Sequence, residues 1–164
     1  MFGAHIRTIR CSSSGSCITF KKQFSNLSLL RSMMDGRCQC GLITFLTPNS
    51  KPSEVYFCYC NECQHQSSSV HGISALFPAF AIYSPYNGAI SVYSRQTLSG
   101  RKLDCYFCSV CGSRLLHKVE GEKTVAVKGG CLSGLDVSKA VHIWCREAVV
   151  PIPPGHLCFD GEPK

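Results

Sequence analysis

Three short runs hold seven of the chain's thirteen cysteines. They are Cys38-Gln39-Cys40-Gly41, Cys58-Tyr59-Cys60-Asn61-Glu62-Cys63 and Cys108-Ser109-Val110-Cys111-Gly112. Thiolates at such spacings are metal ligands, and zinc takes four of them in a tetrahedron. A Cys-x-x-Cys turn closing on glycine, as at 108–112, lets two sulfurs grip one ion while the backbone folds back. Cysteines at i and i+2 of an extended chain point to one face, so Cys38 and Cys40 can supply the other two ligands and close a structural site. The middle run differs. Cys58, Cys60 and Cys63 lie within one short turn and can reach a single ion unaided. Three protein ligands leave the fourth position open to water or substrate, the arrangement of catalytic zinc. Spacing also allows Cys58 and Cys60 to pair with Cys108 and Cys111, which makes one closed site and leaves Cys38, Cys40 and Cys63 idle. A thioredoxin-like redox role for Cys108 and Cys111 lacks the surrounding βαβ pattern it needs.

Metal ligation is preferred to disulfides because the N-terminus does not read as a secretory signal. It offers Arg7, Arg10 and a run of serines in place of a clean apolar stretch and a small-residue cleavage site. Outside an oxidising compartment, clustered cysteines bind metal. Of the other six, Cys11 and Cys17 lie in the N-terminal stretch. Cys105, Cys131, Cys145 and Cys158 read as buried small hydrophobes. His65, just past the three-cysteine turn, is either a solvated loop residue, a fourth ligand or an acid–base group. Tyr59 and Ser67 are the other neighbours able to move a proton; none of the three is singled out.

The elements that must position these residues are mostly strands. From residue 35 onward, segments 42–47, 55–58, 73–77, 89–94, 115–119, 124–127 and 141–144 are rich in β-branched and aromatic residues. Pro, Gly, Asn and Ser separate them, as in Thr47-Pro48-Asn49-Ser50. Only 61–69 could make a short helix. The prolines of Pro151-Ile152-Pro153-Pro154 withdraw backbone donors and predict an extended tail. No apolar run is long enough to span a bilayer.

The formal charge of +7 is unevenly placed. Residues 1–34 carry five of the seventeen basic residues and none of the ten acidic ones, so residues 35–164 are nearly neutral. A nucleic-acid-binding face therefore has little support. The first 34 residues are Arg- and Ser-rich, acid-free and weakly amphipathic through Phe20, Phe24, Leu27, Leu30 and Met34, a pattern shared by mitochondrial transit peptides. Two other readings stand beside that one: an unstructured tail, or an upstream extension with translation starting at Met33 or Met34. The expected location is cytoplasmic, or mitochondrial if this stretch acts as a transit peptide.

In the order Gly36-Arg37-Cys38-Gln39-Cys40-Gly41, Phe45, Cys58-x-Cys60-x-x-Cys63-Gln64, Tyr106-Phe107-Cys108-x-x-Cys111-Gly112-Ser113, Val127-Lys128-Gly129-Gly130 and His142-Ile143-Trp144, the chain resembles the glutathione-dependent formaldehyde-activating / centromere protein V family. The resemblance spans roughly residues 35–160 and implies an Mss4-like, mostly β fold of short antiparallel sheets stapled by two zinc ions. It also implies a structural site at Cys38, Cys40, Cys108 and Cys111 and a catalytic one at Cys58, Cys60 and Cys63. The implied activity is condensation of formaldehyde with glutathione to S-hydroxymethylglutathione, a carbon–sulfur lyase running in reverse. The partners would be a small thiol and a small aldehyde. Tyr59 stands where the family commonly has histidine. As the middle residue of Cys-x-Cys it should point away from the metal, so it bears on the pocket rather than on zinc. The family also has members with chromatin-associated or chaperone-like roles, which implies the alternative of a non-catalytic, zinc-stabilised protein-binding module.

Overall fold

A computed structural model describes residues 33–163. Residues 1–32, with Cys11, Cys17 and most of the amphipathic pattern, lie outside the described residues. The elements are β1 (Asp35–Arg37), β2 (Thr44–Leu46), β3 (Glu54–Cys58), α1 (Asn61–Ser67), β4 (Gly72–Pro78), β5 (Ile90–Gln96), β6 (Lys102–Cys108), β7 (Arg114–Val119), β8 (Thr124–Lys128), β9 (Val141–Ile143) and β10 (Cys158–Phe159). The protein is mostly β, as its strand-like segments and frequent turn residues require. β1 and β2 form a small ribbon, and the other eight strands make one sheet in the order β10-β9-β3-β4-β8-β7-β6-β5. Pairing is antiparallel except where β9 lies parallel to β3 and to β10.

Side chains alternate across a strand, and this divides the sheet into two faces. On one, Ala75 and Phe77 of β4, Leu116 of β7 and Val125 and Val127 of β8 pack against Met34, Ile43, Phe45 and Leu115. Phe77, Ile43, Leu115 and Val127 are fully buried, each contributing roughly 1.5–3 kcal/mol. Met34 belongs to this core and not to the preceding stretch. Its backbone N–H donates to the buried Thr47 hydroxyl at 2.8 Å, and its carbonyl accepts from the Thr47 N–H at 3.0 Å. β6 was not expected from the sequence. Lys102 and Asp104 interrupt its apolar pattern, and its inward positions are Leu103 and a cysteine, Cys105, a residue type first read as ligand.

The parallel β3–β9 pairing sets Phe57 opposite His142, and the two rings stack at 5.1 Å. The Tyr59 hydroxyl and His142 Nδ1 share a hydrogen bond of 2.8 Å, and His71 packs against both Phe57 and Tyr59. Burial holds His142 below the ordinary histidine range, helped by the nearby imidazoles of His156 and His71, and burial does the same at His71. A histidine harder to protonate when folded adds stability above its unfolded pKa of about 6.5, and that stability is lost as pH falls below it. The urea midpoint should therefore drop between pH 7.5 and 5.5. His142→Gln should be less stable at pH 7.5, by about 1–2 kcal/mol for the lost hydrogen bond, and should show a flatter pH dependence. Parallel pH profiles for the two proteins would contradict the assignment.

Candidate metal centres

The structure gathers the seven cysteines into two groups, Cys38, Cys40, Cys108 and Cys111 in one and Cys58, Cys60 and Cys63 in the other, each with its sulfurs within 4.8 Å of one another. Cys58 and Cys60 do not meet Cys108 and Cys111.

In the four-cysteine group, Cys38 and Cys40 lie in the β1–β2 turn, not on an extended strand as the i, i+2 argument supposed. The turn still brings their sulfurs to 3.5 Å, because Gly41 at φ +78° reverses the chain immediately after. Cys108 ends β6, Cys111 occupies the turn, and Gly112 at φ +73° closes it. The Cys40 and Cys108 sulfurs are 3.9 Å apart. The Ile43 N–H donates to the Cys38 sulfur at 3.3 Å, and the Ser113 hydroxyl joins the halves by accepting the Gln39 N–H at 2.9 Å beside Cys111.

In the three-cysteine group, Cys58 ends β3, Cys60 is the extended residue before α1, and Cys63 sits in its first turn. The Cys58 and Cys60 sulfurs are 3.4 Å apart. Cys63 lies over β4: a Cβ placed on Gly72 would meet its Sγ at 3.5 Å. Gln64 anchors α1 by donating to the Tyr59 carbonyl at 2.5 Å and to the Glu147 carbonyl at 3.2 Å.

Zinc–thiolate bonds of about 2.3 Å in a tetrahedron put sulfurs about 3.8 Å apart, whereas a disulfide needs about 2.05 Å. The spacings of 3.4, 3.5 and 3.9 Å fit metal ligation. Ionisation points the same way. S–H groups of Cys58 and Cys63 hold Cys60 down to about 2, while the Cys60 and Cys63 sulfurs push Cys58 far up. In the other group the Ser113 hydroxyl holds Cys111 down to about 5; Cys40, despite the Leu42 N–H, is pushed up to about 12 by Cys38. Without a cation each group favours partial ionisation; a divalent ion lets all its sulfurs be thiolates.

A family model described as glutathione-dependent formaldehyde-activating enzyme matches residues 33–147, a span that contains all seven of these cysteines. The chain belongs to that family. A crystal structure of a Rhodobacter sphaeroides protein is similar over 77% of this chain and 99% of its own, at 17% identity and a TM-score of 0.47. No curated protein matches. Zinc is compatible with both cysteine groups of this family member.

The three candidate proton carriers are placed differently. Tyr59 is turned away from the sulfurs, 3% exposed, with its hydroxyl on His142. His65 is exposed on α1. The Ser67 hydroxyl donates to the Cys63 carbonyl at 2.7 Å, a bond within the helix. Sequence reasoning gave no role to Lys128, which it quoted only within the family resemblance, and missed His117. Lys128 is 7% exposed and donates to the Ser74 hydroxyl at 3.3 Å. His117 lies across from Ala126 on the same face of β7 and β8. Burial, then the charges of Lys128, Arg114 and Arg95, hold His117 well below its ordinary range. The available signal was the alternation Val125, Val127 against Ala126, Lys128, which sets a lysine on the face opposite the apolar one.

The remaining cysteines require a correction. Cys145 and Cys158 are not buried hydrophobes; they form a disulfide, with Cα atoms 6.3 Å apart. The parallel β9–β10 pairing, invisible to local pattern, brings them together. Cys105 is buried as expected, and half-buried Cys131 donates to the Arg114 carbonyl.

Gly112→Ala should weaken the four-cysteine turn. Its Cβ would meet nothing within 4 Å, so the cost is the left-handed backbone alone, about 1–2 kcal/mol. A fall in melting temperature of about 3–8 °C is expected; an unchanged one would mean that the turn relaxes.

Proposed function

We propose that the chain is a zinc-dependent carbon–sulfur lyase acting on thiol–aldehyde adducts of the S-hydroxymethylglutathione type, with a small thiol such as glutathione and a small aldehyde as its partners. In this reading Cys38, Cys40, Cys108 and Cys111 hold a structural zinc, and Cys58, Cys60 and Cys63 hold a second, catalytic one. The observation that carries it is the three-cysteine group: three sulfurs at zinc spacing and, among the described residues, no fourth Cys, His, Asp or Glu in the cluster. The family's own description supports the choice of glutathione and formaldehyde.

A zinc ion there supplies stabilisation of a sulfur anion near neutral pH and weaker Lewis acidity, since three thiolates already offset its charge. In cleavage of the adduct the carbon–sulfur bond breaks and its electron pair stays on sulfur. The O–H pair becomes the second bond of the carbonyl, and the hydroxyl proton leaves to solvent. The chain's task is to orient the adduct and receive the sulfur anion. Cys58, Cys60 and Cys63 surround one side of that position. Gln66 offers a carbonyl oxygen, buried and without a hydrogen-bond partner among the described residues, as an acceptor for an adduct hydroxyl or amide.

The test is zinc per chain by plasma mass spectrometry on the full-length protein and on Cys60→Ser, with glutathione–formaldehyde adduct exchange followed by NMR. Two zincs falling to one, with adduct turnover lost and the thermal transition retained, are expected. One zinc in both proteins, or unchanged turnover in the variant, would sink the lyase reading and favour the zinc-stabilised binding module.

A further inference from the structure

Lys128 is a buried cation that the ion pairs of the described residues leave out. Those pairs join Arg95 to Glu62, Arg101 to Glu122, Lys102 to Asp104 and Arg146 to Glu147. Among the described residues, the Lys128 ammonium has one hydrogen bond, to the Ser74 hydroxyl. Burying a lone charge is costly unless an opposite charge or a full set of acceptors meets it, so the anion it faces identifies its purpose.

The register locates that anion. Lys128 pairs with Ser74 across β4 and β8, and Ser74 shares its face of β4 with Gly72, two residues earlier. Cys63 lies directly over Gly72. The ammonium and the three-cysteine group are thus on one face of the sheet, with Cys58 paired to Gly72 across β3 and β4 and Cys63 lying over it. Glu62 of α1 reaches Arg95 on β5 at 3.6 Å. Arg95 stands four strands from β4 in the sheet order, so the sheet curls round this face. An unsatisfied polar group is also found here. Gln66, whose Nε2 lies 3.5 Å from the Gly72 Cβ position, keeps a buried oxygen without a partner.

We propose that Lys128 is the binding residue for the anionic sulfur of the substrate. The inference rests on the three-cysteine group being the substrate site. Three thiolates around one divalent ion would leave a net charge of −1, and a fourth sulfur anion would raise it to −2. The ammonium offsets that added charge. The thiol enters by giving its proton to solvent, and no other bond changes.

Calorimetric titration of the zinc-loaded full chain with 2-mercaptoethanol at pH 8 tests this on wild type, Lys128→Met and Lys128→Arg. Lys128→Met should bind the thiol at least tenfold more weakly with its zinc content unchanged. Lys128→Arg, which keeps the charge, should stay within about threefold of wild type. Equal affinity for wild type and Lys128→Met would overturn the assignment and leave the substrate-site reading intact. Loss of zinc from Lys128→Met, or equal weakening in the arginine variant, would overturn it by giving Lys128 to metal retention or to packing. No thiol binding by wild type would remove both readings together.

Discussion

Sulfur anions packed a few ångströms apart repel one another, and in the proposed zinc-bound reading the fold of this protein depends on how that repulsion is relieved. Two unit charges at the 3.5 Å separation of Cys38 and Cys40 oppose each other by about 5 kcal/mol at an effective dielectric of 20. Left alone, the three-cysteine group answers by shifting charge onto Cys60 and protons onto Cys58. A divalent cation reverses the sign of the problem, because every sulfur is then drawn to one centre. What would be mutual repulsion becomes a clamp between segments as distant in sequence as Cys40 and Cys108.

Such a clamp would account for elements that could not stand alone. β1 and β2 have three residues each, and an isolated two-stranded ribbon is marginal even at greater length. Here the ribbon is held by the sulfurs at its turn, by the Gly36–Leu132 bridge and by the Ser133 N–H donating to the Asp35 carbonyl. α1 has seven residues, well short of a self-sustaining helix. It is fixed by Cys60 and Cys63, by Gln64, and by the Asn61 N–H on the Glu147 carboxylate. The Cys145–Cys158 disulfide ties the segment containing Glu147 to the C-terminal strand. The second group of sulfurs thus rests on a support cross-linked from behind.

Local pattern made the strands legible wherever β-branched or aromatic residues dominated, and it placed the short helix to within two residues. The three cysteine runs were also legible as ligand sets, but their spacing left two groupings open, and only the structure separates Cys38, Cys40, Cys108 and Cys111 from Cys58, Cys60 and Cys63. What failed shared a cause. β6, the Cys145–Cys158 bond and the Lys128 neighbourhood all depend on which strands lie side by side. Cysteine compounds the difficulty, since one residue type serves here as ligand, as core side chain at Cys105 and as cross-link. Tyr59 shows the opposite case. Its direction away from the sulfurs follows from alternation along an extended chain, while its partner His142, 83 residues away, does not.

β8 separates the two functions of the sheet. Val125 and Val127 face the apolar core, and Ala126 and Lys128 face the side covered by α1. A lysine on that side is costly if the nearby sulfurs are neutral thiols, because Ser74 alone cannot replace the water it has lost. The same lysine is stabilised once the sulfurs are thiolates around a cation whose charge they exceed. In the proposed zinc-bound reading, metal binding and lysine burial would therefore be coupled: a cation in the cluster would gather three anions, and their surplus charge would favour the second cation.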